Sequence, residues 1–330
     1  MGRVKIYSAP NLLNLRWHGG QGFNVHIFFA SLCNFLMSLI DEFIAKHHLP
    51  ESFRDVAENH YLPLCQQVKN WRKEKKSASE QPLVLGINGA QGTGKSTLAD
   101  FIAEVLTFEV GAEVAVLSID DFYLTKEDRN KLAKDIHPLL ATRGVPGTHD
   151  LPLAFKTINS LIAGKAGVHL PRFSKSVDER ATEDVWPITN GPVDLIILEG
   201  WCVGSIPEVE DSLEEPINEL ELEEDQAAYW RTYVNDCLKG EYQVLYSLLD
   251  KLIMLKAPNF ECVYNWRLEQ EQKLLAKVGH EASGIMNEDQ IARFIQHYER
   301  LTRHNLDVLP KVADQVLVLK PDHGIKGLTS

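Results

Sequence analysis

The chain has 330 residues, 44% of them hydrophobic, enough for one large α/β domain or a domain with an appendage. Its formal net charge of −12 argues against a nucleic-acid binder, which needs a basic face to neutralise phosphates. Cys33, Cys65, Cys202, Cys237 and Cys262 show no CxxC or Cys/His ligand spacing, which gives no support to structural zinc or a disulfide framework and suits a reducing, cytoplasmic setting.

Residues 22–44 are rather apolar and follow Arg3, Lys5 and Arg16. Asn24, His26, Asn34, Asp41 and Glu42 interrupt the run, so the roughly twenty clean apolar residues of a membrane span are missing. No small-residue cleavage site stands out either. The expectation is an amphipathic helix packed on the main domain, with no membrane partner. Met37 opens a conventional helical pattern, MSLIDEFIAKHH, and everything before it reads unlike the rest. Residues 1–36 are therefore expected to be non-native, with Met37 the true start. Helical spacing continues to about residue 73, with a second helix entered through Tyr61, Leu62 and Pro63. WRKEKKSASEQP then reads as a polar connector ending in Pro82.

Beyond it the chain alternates in the βα manner of a parallel sheet. Apolar runs at 83–87, 114–118, 195–198, 252–255 and 316–319 predict five strands, and a helix follows the first over 96–106. Runs without polar alternation fit strands covered by helices on both faces. The fold class is α/β, a doubly wound, mostly parallel five-stranded sheet.

Gly89-Ala90-Gln91-Gly92-Thr93-Gly94-Lys95-Ser96 is a full GxxxxGKS match between a predicted strand and a predicted helix. Its glycines let successive N–H groups turn inward as an anion nest. The following helix points its positive end at the same place. Lys95 reaches the β- and γ-phosphates, the Ser96 hydroxyl suits Mg²⁺, and Thr97 continues the loop. ATP and Mg²⁺ are the expected cofactors. On this basis residues 1–80 form an N-terminal helical extension and 81–330 a P-loop nucleotide domain, with substrate or lid insertions near 125–190 and 205–250.

Ser118-Ile119-Asp120-Asp121-Phe122-Tyr123 stands at the carboxyl end of the second predicted strand, where open α/β sheets bind ligands. A carboxylate there accepts the proton of an attacking hydroxyl or holds the metal. Asp is also a good helix cap, and two adjacent carboxylates allow one residue for each task. Asp120 is read as the base, with Asp121 and Tyr123 structural or substrate-binding. Asp194 begins the next apolar run and Glu199 ends it, so Glu199 is the Walker-B-like acid beside Mg²⁺.

Two loops concentrate cations in an otherwise acidic protein and suit a small anionic substrate. One carries Arg143, His149 and Asp150; the other carries Arg172 and Lys175, with Arg180 beyond. Arg267, early in a predicted helix, is read either as a lid arginine across the transferring phosphate or as a helix-surface residue. Residues 208–225 hold ten acidic and no basic residues and read as a solvated face.

In order, GxxGxGKST, SIDDFYLT, RGxPGTHDL, LPRFSKS, LEGWCVG and VYNWRLEQE resemble the D-glycerate 3-kinase family, within the phosphoribulokinase, uridine kinase and pantothenate kinase group. The resemblance covers residue 61 to the end. It implies transfer from ATP to the 3-hydroxyl of D-glycerate, with Asp120 as catalytic carboxylate and Glu199 as Mg²⁺-associated acid. It also implies Arg267 as the lid arginine and His323 at the loop bordering adenine. A nucleoside kinase and a low-turnover P-loop regulator remain alternatives. A GTPase does not, because the nearest string to NKxD, Asn130-Lys131-Leu132-Ala133, lacks the Asp.

Overall fold

The computed structural model describes residues 6–7, 25–278 and 286–329. Strand β1 (Ile6–Tyr7) comes first, then helices α1 (Val25–His47), α2 (Phe53–Val56), a π turn (Ala57–Tyr61) and α3 (Leu62–Ala78). β2 (Leu83–Gly89), α4 (Lys95–Val110), β3 (Val114–Ser118), α5 (Lys126–Asp135) and α6 (Leu151–Ile162) follow. A small hairpin, β4 (Phe173–Ser174) with β5 (Glu179–Arg180), precedes β6 (Leu195–Gly200). Helices α7 (Glu219–Glu224), α8 (Tyr229–Cys237) and α9 (Gln243–Tyr246) lead into β7 (Lys251–Lys256). Then come α10 (Phe260–Val278), α11 (Glu288–Val308), β8 (Gln315–Leu319) and β9 (Ile325–Thr329).

Among the described residues, seven strands form one sheet in the order β1-β3-β6-β2-β7-β8-β9. The five interior strands are the expected ones and run parallel, with Leu83 opposite Leu195 and Leu85 opposite Lys251. β2 and β6 are buried along their whole length, which their apolar runs require. The sheet exceeds the expected five strands because β1 and β9 add antiparallel edges. An edge strand needs no continuous apolar run, and IKGLT of β9 has none.

At the amino end of the sheet three aspartates recur in one role. Asp194, Asp250 and Asp314 each stand just before a strand and accept a backbone N–H of the neighbouring chain segment, from Glu113 (3.1 Å), Val84 (2.9 Å) and Leu252 (2.8 Å). Their other oxygens hold Arg72, Lys75 and Lys251, each at 2.6 Å. The register of the parallel strands is thus pinned at the end opposite the P-loop.

Arg72 and Lys75 belong to the stretch expected as a polar connector. That expectation is corrected: α3 continues to Ala78, because Trp71 is buried while its charged neighbours clasp the sheet. The helix expected to open at Met37 instead runs from Val25, so Met37 lies in its middle. Residues 1–5 and 8–24 lie outside the described residues. Ile40, Phe43, Tyr61, Leu64 and Val68 pack into the same hydrophobic core as Leu83 and Phe101. Phe101 receives the edges of Phe43 (5.1 Å between centroids) and Tyr61 (5.4 Å). Among the described residues, no helix is long and apolar enough to cross a membrane. The four described cysteines are free thiols.

The acidic run is not simply a solvated face. Glu221 and Asp225 are buried, and they pair with Arg300 (2.7 Å) and Arg231 (2.9 Å). A buried carboxylate is tolerable only with a partner, and both partners lie outside the run.

Candidate active site

The loop after β2 has the backbone that the motif demands. Gly92 and Gly94 take φ of 82° and 87°, a region closed to most side chains. A Cβ at Gly92 would lie 2.6 Å from the Cβ of Trp266, so α10 closes directly over the loop. Thr93 caps the turn internally by donating to the Ala90 carbonyl at 2.8 Å. Asn88, buried at the end of β2, donates to the Trp201 and Val203 carbonyls and ties the P-loop to the segment after β6.

That segment supplies Glu199. Its Oε1 accepts from the Ser96 hydroxyl at 2.8 Å, and Lys95 Nζ lies 4.0 Å from Oε2. Oε2 is buried and has no hydrogen-bond partner. A hydroxyl and an under-satisfied carboxylate side by side are the hard oxygen donors that Mg²⁺ takes.

One strand further out, after β3, the two adjacent aspartates separate. Asp120 accepts from the Tyr123 hydroxyl (2.8 Å) and from Lys175 (2.5 Å). Burial opposes its charge, but Lys175, Lys95 and these hydrogen bonds outweigh it and hold the carboxyl well below the usual carboxylate range. Asp120 in turn raises Lys175. Asp121 is 2% exposed, accepts the Phe173 N–H at 3.0 Å and faces Arg172 at 3.5 Å. Burial pushes it up to about 6. The first carboxylate faces Lys175 and Lys95, and the second anchors the β4–β5 hairpin.

The basic loops converge only in part. Lys175 reaches Asp120, but Arg143 pairs with Asp178, and Arg172 with Asp121. Asp150 caps α6 through the Leu153 N–H (3.0 Å) and holds Arg180 at 2.8 Å. His149 stacks on Tyr123 at 4.7 Å between centroids. Arg267 lies 2.6 Å from Glu271 one turn on, and His323 stacks on Trp266 at 4.6 Å.

No family model matches the chain. Over 233 residues it is 33% identical to the uncharacterized kinase mug58 of Schizosaccharomyces pombe, covering 66% of this chain and 79% of that one. It is 31% identical over 226 residues to the chloroplastic D-glycerate 3-kinase of Arabidopsis thaliana, covering 66% of this chain and 46% of that one. In three dimensions it is similar to the D-glycerate 3-kinase from Cryptococcus neoformans, with a TM-score of 0.67 at 26% identity over 81% of this chain and 99% of that one. The chain belongs to the D-glycerate 3-kinase family of P-loop kinases. It is a kinase of the group that joins glycerate and uridine kinases.

Further side chains hold the loops around residues 143–144 and the β4–β5 hairpin in place. Arg129, wholly buried, donates to the Leu124 carbonyl (2.7 Å) and to Asp178 (2.6 Å). Arg129 and Arg143 both lie 5.7 Å from the Phe173 ring centroid. Trp201 and Tyr298 donate to the carbonyls of Gly144 and Arg143 at 3.0 and 3.1 Å. Neither Arg129 nor Tyr298 lies in a local pattern that sequence spacing reveals.

Two buried histidines set an acid limit for this fold. Burial lowers both His149 and His297 to about 4. Below about 6.5 the unfolded chain protonates both while the folded chain does not, so stability is lost as pH falls from there towards 4. Asp121, raised to about 6, works the other way, since the folded chain takes up that proton first. Two protons against one leave a net loss of about 1 kcal/mol per pH unit. Thermal melts from pH 7 to 4.5 should show falling midpoints, with a shallower slope in His297→Gln.

Proposed function

We propose that the chain transfers the γ-phosphate of MgATP to the 3-hydroxyl of D-glycerate, giving 3-phosphoglycerate and ADP. The observation that carries the reading is the meeting of Asp120 with Lys175, at the carboxyl end of β3, beside the strand whose end holds Ser96 against Glu199. A carboxylate for the acceptor hydroxyl and a cation for an acidic substrate thus stand next to the phosphate loop.

In this reading the nest of residues 89–97 cradles the phosphates and Lys95 reaches the β–γ bridge. Ser96 and Glu199 would hold Mg²⁺, which would supply neutralisation of charge on the phosphates. Trp266 and His323, stacked over the P-loop side, border the base. Asp120 is ionised across the working range. It orients the 3-hydroxyl and accepts its proton as the bond to phosphorus forms. Lys175, drawn to Asp120, is released to the substrate carboxylate, with Arg143 and Arg172 adding positive field. Arg267, on α10 beside the loop, exchanges Glu271 for the transferring phosphate. Little covalent work is left to the protein: positioning and charge neutralisation account for the rate.

The test is an ADP-release assay with MgATP against D-glycerate, L-glycerate, uridine, pantothenate and ribulose 5-phosphate. Turnover with D-glycerate alone is expected. Turnover confined to uridine or pantothenate would replace the substrate while keeping the kinase, and tight ATP binding without any turnover would favour a regulatory P-loop protein.

A further inference from the structure

His149 has a feature that its place in a basic loop does not explain. Its ring is buried, with Nδ1 2.6 Å from the Tyr242 hydroxyl. The same hydroxyl accepts the Gly147 N–H at 3.0 Å. A phenol has one proton, and the amide only donates, so the Tyr242 proton has His149 Nδ1 as its one acceptor among the described residues. The reverse arrangement, Nδ1–H towards Tyr242, would leave a buried phenol proton unpaired, at a cost of about 1–3 kcal/mol. Nδ1 is therefore the acceptor, and the ring proton sits on Nε2, at the edge turned away from Tyr242.

Nε2 is buried and has no partner. A sealed, unpaired donor in a polar loop calls for an explanation. Its surroundings offer one. The ring stacks on Tyr123, whose hydroxyl is bound to Asp120, and Asp120 is the charged group acting on the imidazole. Tyr242 comes from the stretch between β6 and β7, at the end of a π turn (Leu238–Tyr242) with a kink at Gly240. Such turns re-aim a side chain that a regular helix would direct elsewhere. Tyr242 is itself only 1% exposed and set against Tyr246.

We propose that Tyr242 is a positioning residue: it fixes His149 as the neutral Nε2–H tautomer, and His149 donates that proton in a hydrogen bond to an oxygen of the acceptor substrate beside Asp120. The proposal rests on the small-molecule kinase reading and deepens it. An uncharged donor next to an ionised carboxylate selects an oxygen-bearing acceptor and rejects one that presents an N–H at the same point. Because Nε2 is buried, contact with the substrate oxygen requires the loop that carries His149 to move on binding.

Tyr242→Phe keeps the ring and removes the hydroxyl. Long-range ¹⁵N–¹H spectra of histidine-labelled protein, read without substrate at neutral pH, should show the Nε2–H tautomer for His149, its resonance assigned by its loss in His149→Gln. In Tyr242→Phe that resonance should move to a mixture of tautomers, and KM for the acceptor should rise about tenfold, the worth of one hydrogen bond. KM for ATP should stay put, and kcat should change far less than the acceptor KM. A second pair of variants decides the matter even if Tyr242→Phe folds poorly. Glutamine places an N–H near the Nε2 position and asparagine does not, so His149→Gln should keep more acceptor affinity than His149→Asn. An Nδ1–H tautomer in the wild type, or equal acceptor KM in the Gln and Asn variants, overturns the proposal. The spectra need no turnover, so an Nε2–H ring in a protein that does not phosphorylate D-glycerate supports the tautomer and counts against the D-glycerate reading alone.

Discussion

Asp120→Asn should lower kcat by about 10²–10⁴ while leaving ATP affinity within a few-fold. Asparagine keeps the size of the side chain and a hydrogen-bond acceptor for Tyr123, but it loses the charge that holds Lys175 and the basicity needed by the acceptor hydroxyl. The P-loop contacts of Gly89 to Ser96 are untouched, so nucleotide titration separates binding from chemistry. Asp121→Asn is the informative companion. That side chain is buried and anchors the Phe173 amide, so its substitution should act on thermal stability first. A kcat within about tenfold of wild type in Asp120→Asn would remove Asp120 from the role of base and turn attention to Asp121, whose raised pKa gives it basicity nearer neutrality.

Arg231→Ala should cost about 3–5 kcal/mol of unfolding free energy, the usual penalty for removing one member of a buried ion pair. Arg231 and Asp225 are each only 1% exposed at the side chain. The guanidinium also donates to the carbonyls of Leu213 (2.7 Å), Asp225 (2.5 Å) and Glu214 (3.1 Å). Asp225, for its part, accepts the first N–H groups of α8, from Trp230 and Arg231. Alanine leaves one buried charge without its partner and the Leu213 and Glu214 carbonyls without their donor, while the Asp225 carbonyl keeps the Ala228 N–H. Urea denaturation read by fluorescence measures the loss. Replacing both partners by apolar residues of similar size should recover a good part of it, because no lone charge then remains. A loss under 1 kcal/mol in the single variant would mean that the acidic run is held by something other than this pair.

The five interior strands, the nucleotide loop and the carboxylates at the strand ends were legible in the sequence because each is a local requirement. Gly92 and Gly94 answer to backbone torsion, the apolar runs to burial on both sheet faces, and Glu199 to its place at the end of a strand. The length of α3 was not legible from polarity. Arg72 and Lys75 look like a connector until Asp194 and Asp250 stand beside them, more than a hundred residues away in the chain. The acidic run misled for the same reason: Glu221 and Asp225 are charged, yet Arg300 and Arg231 permit their burial.

From the sequence alone came the P-loop, the parallel α/β sheet and the family, since motifs of a few residues carry those by spacing. Only the tertiary structure decided that Asp120 pairs with Lys175 while Asp121 holds the Phe173 amide, since those partners reach them across more than fifty residues. It also decided that the Tyr242 hydroxyl meets the His149 ring, a contact spanning 93 positions that exists only once the loop after β6 has packed. Short-range torsion and burial are written locally, whereas the partner of a charge or a tautomer depends on which distant segments the packed core brings together.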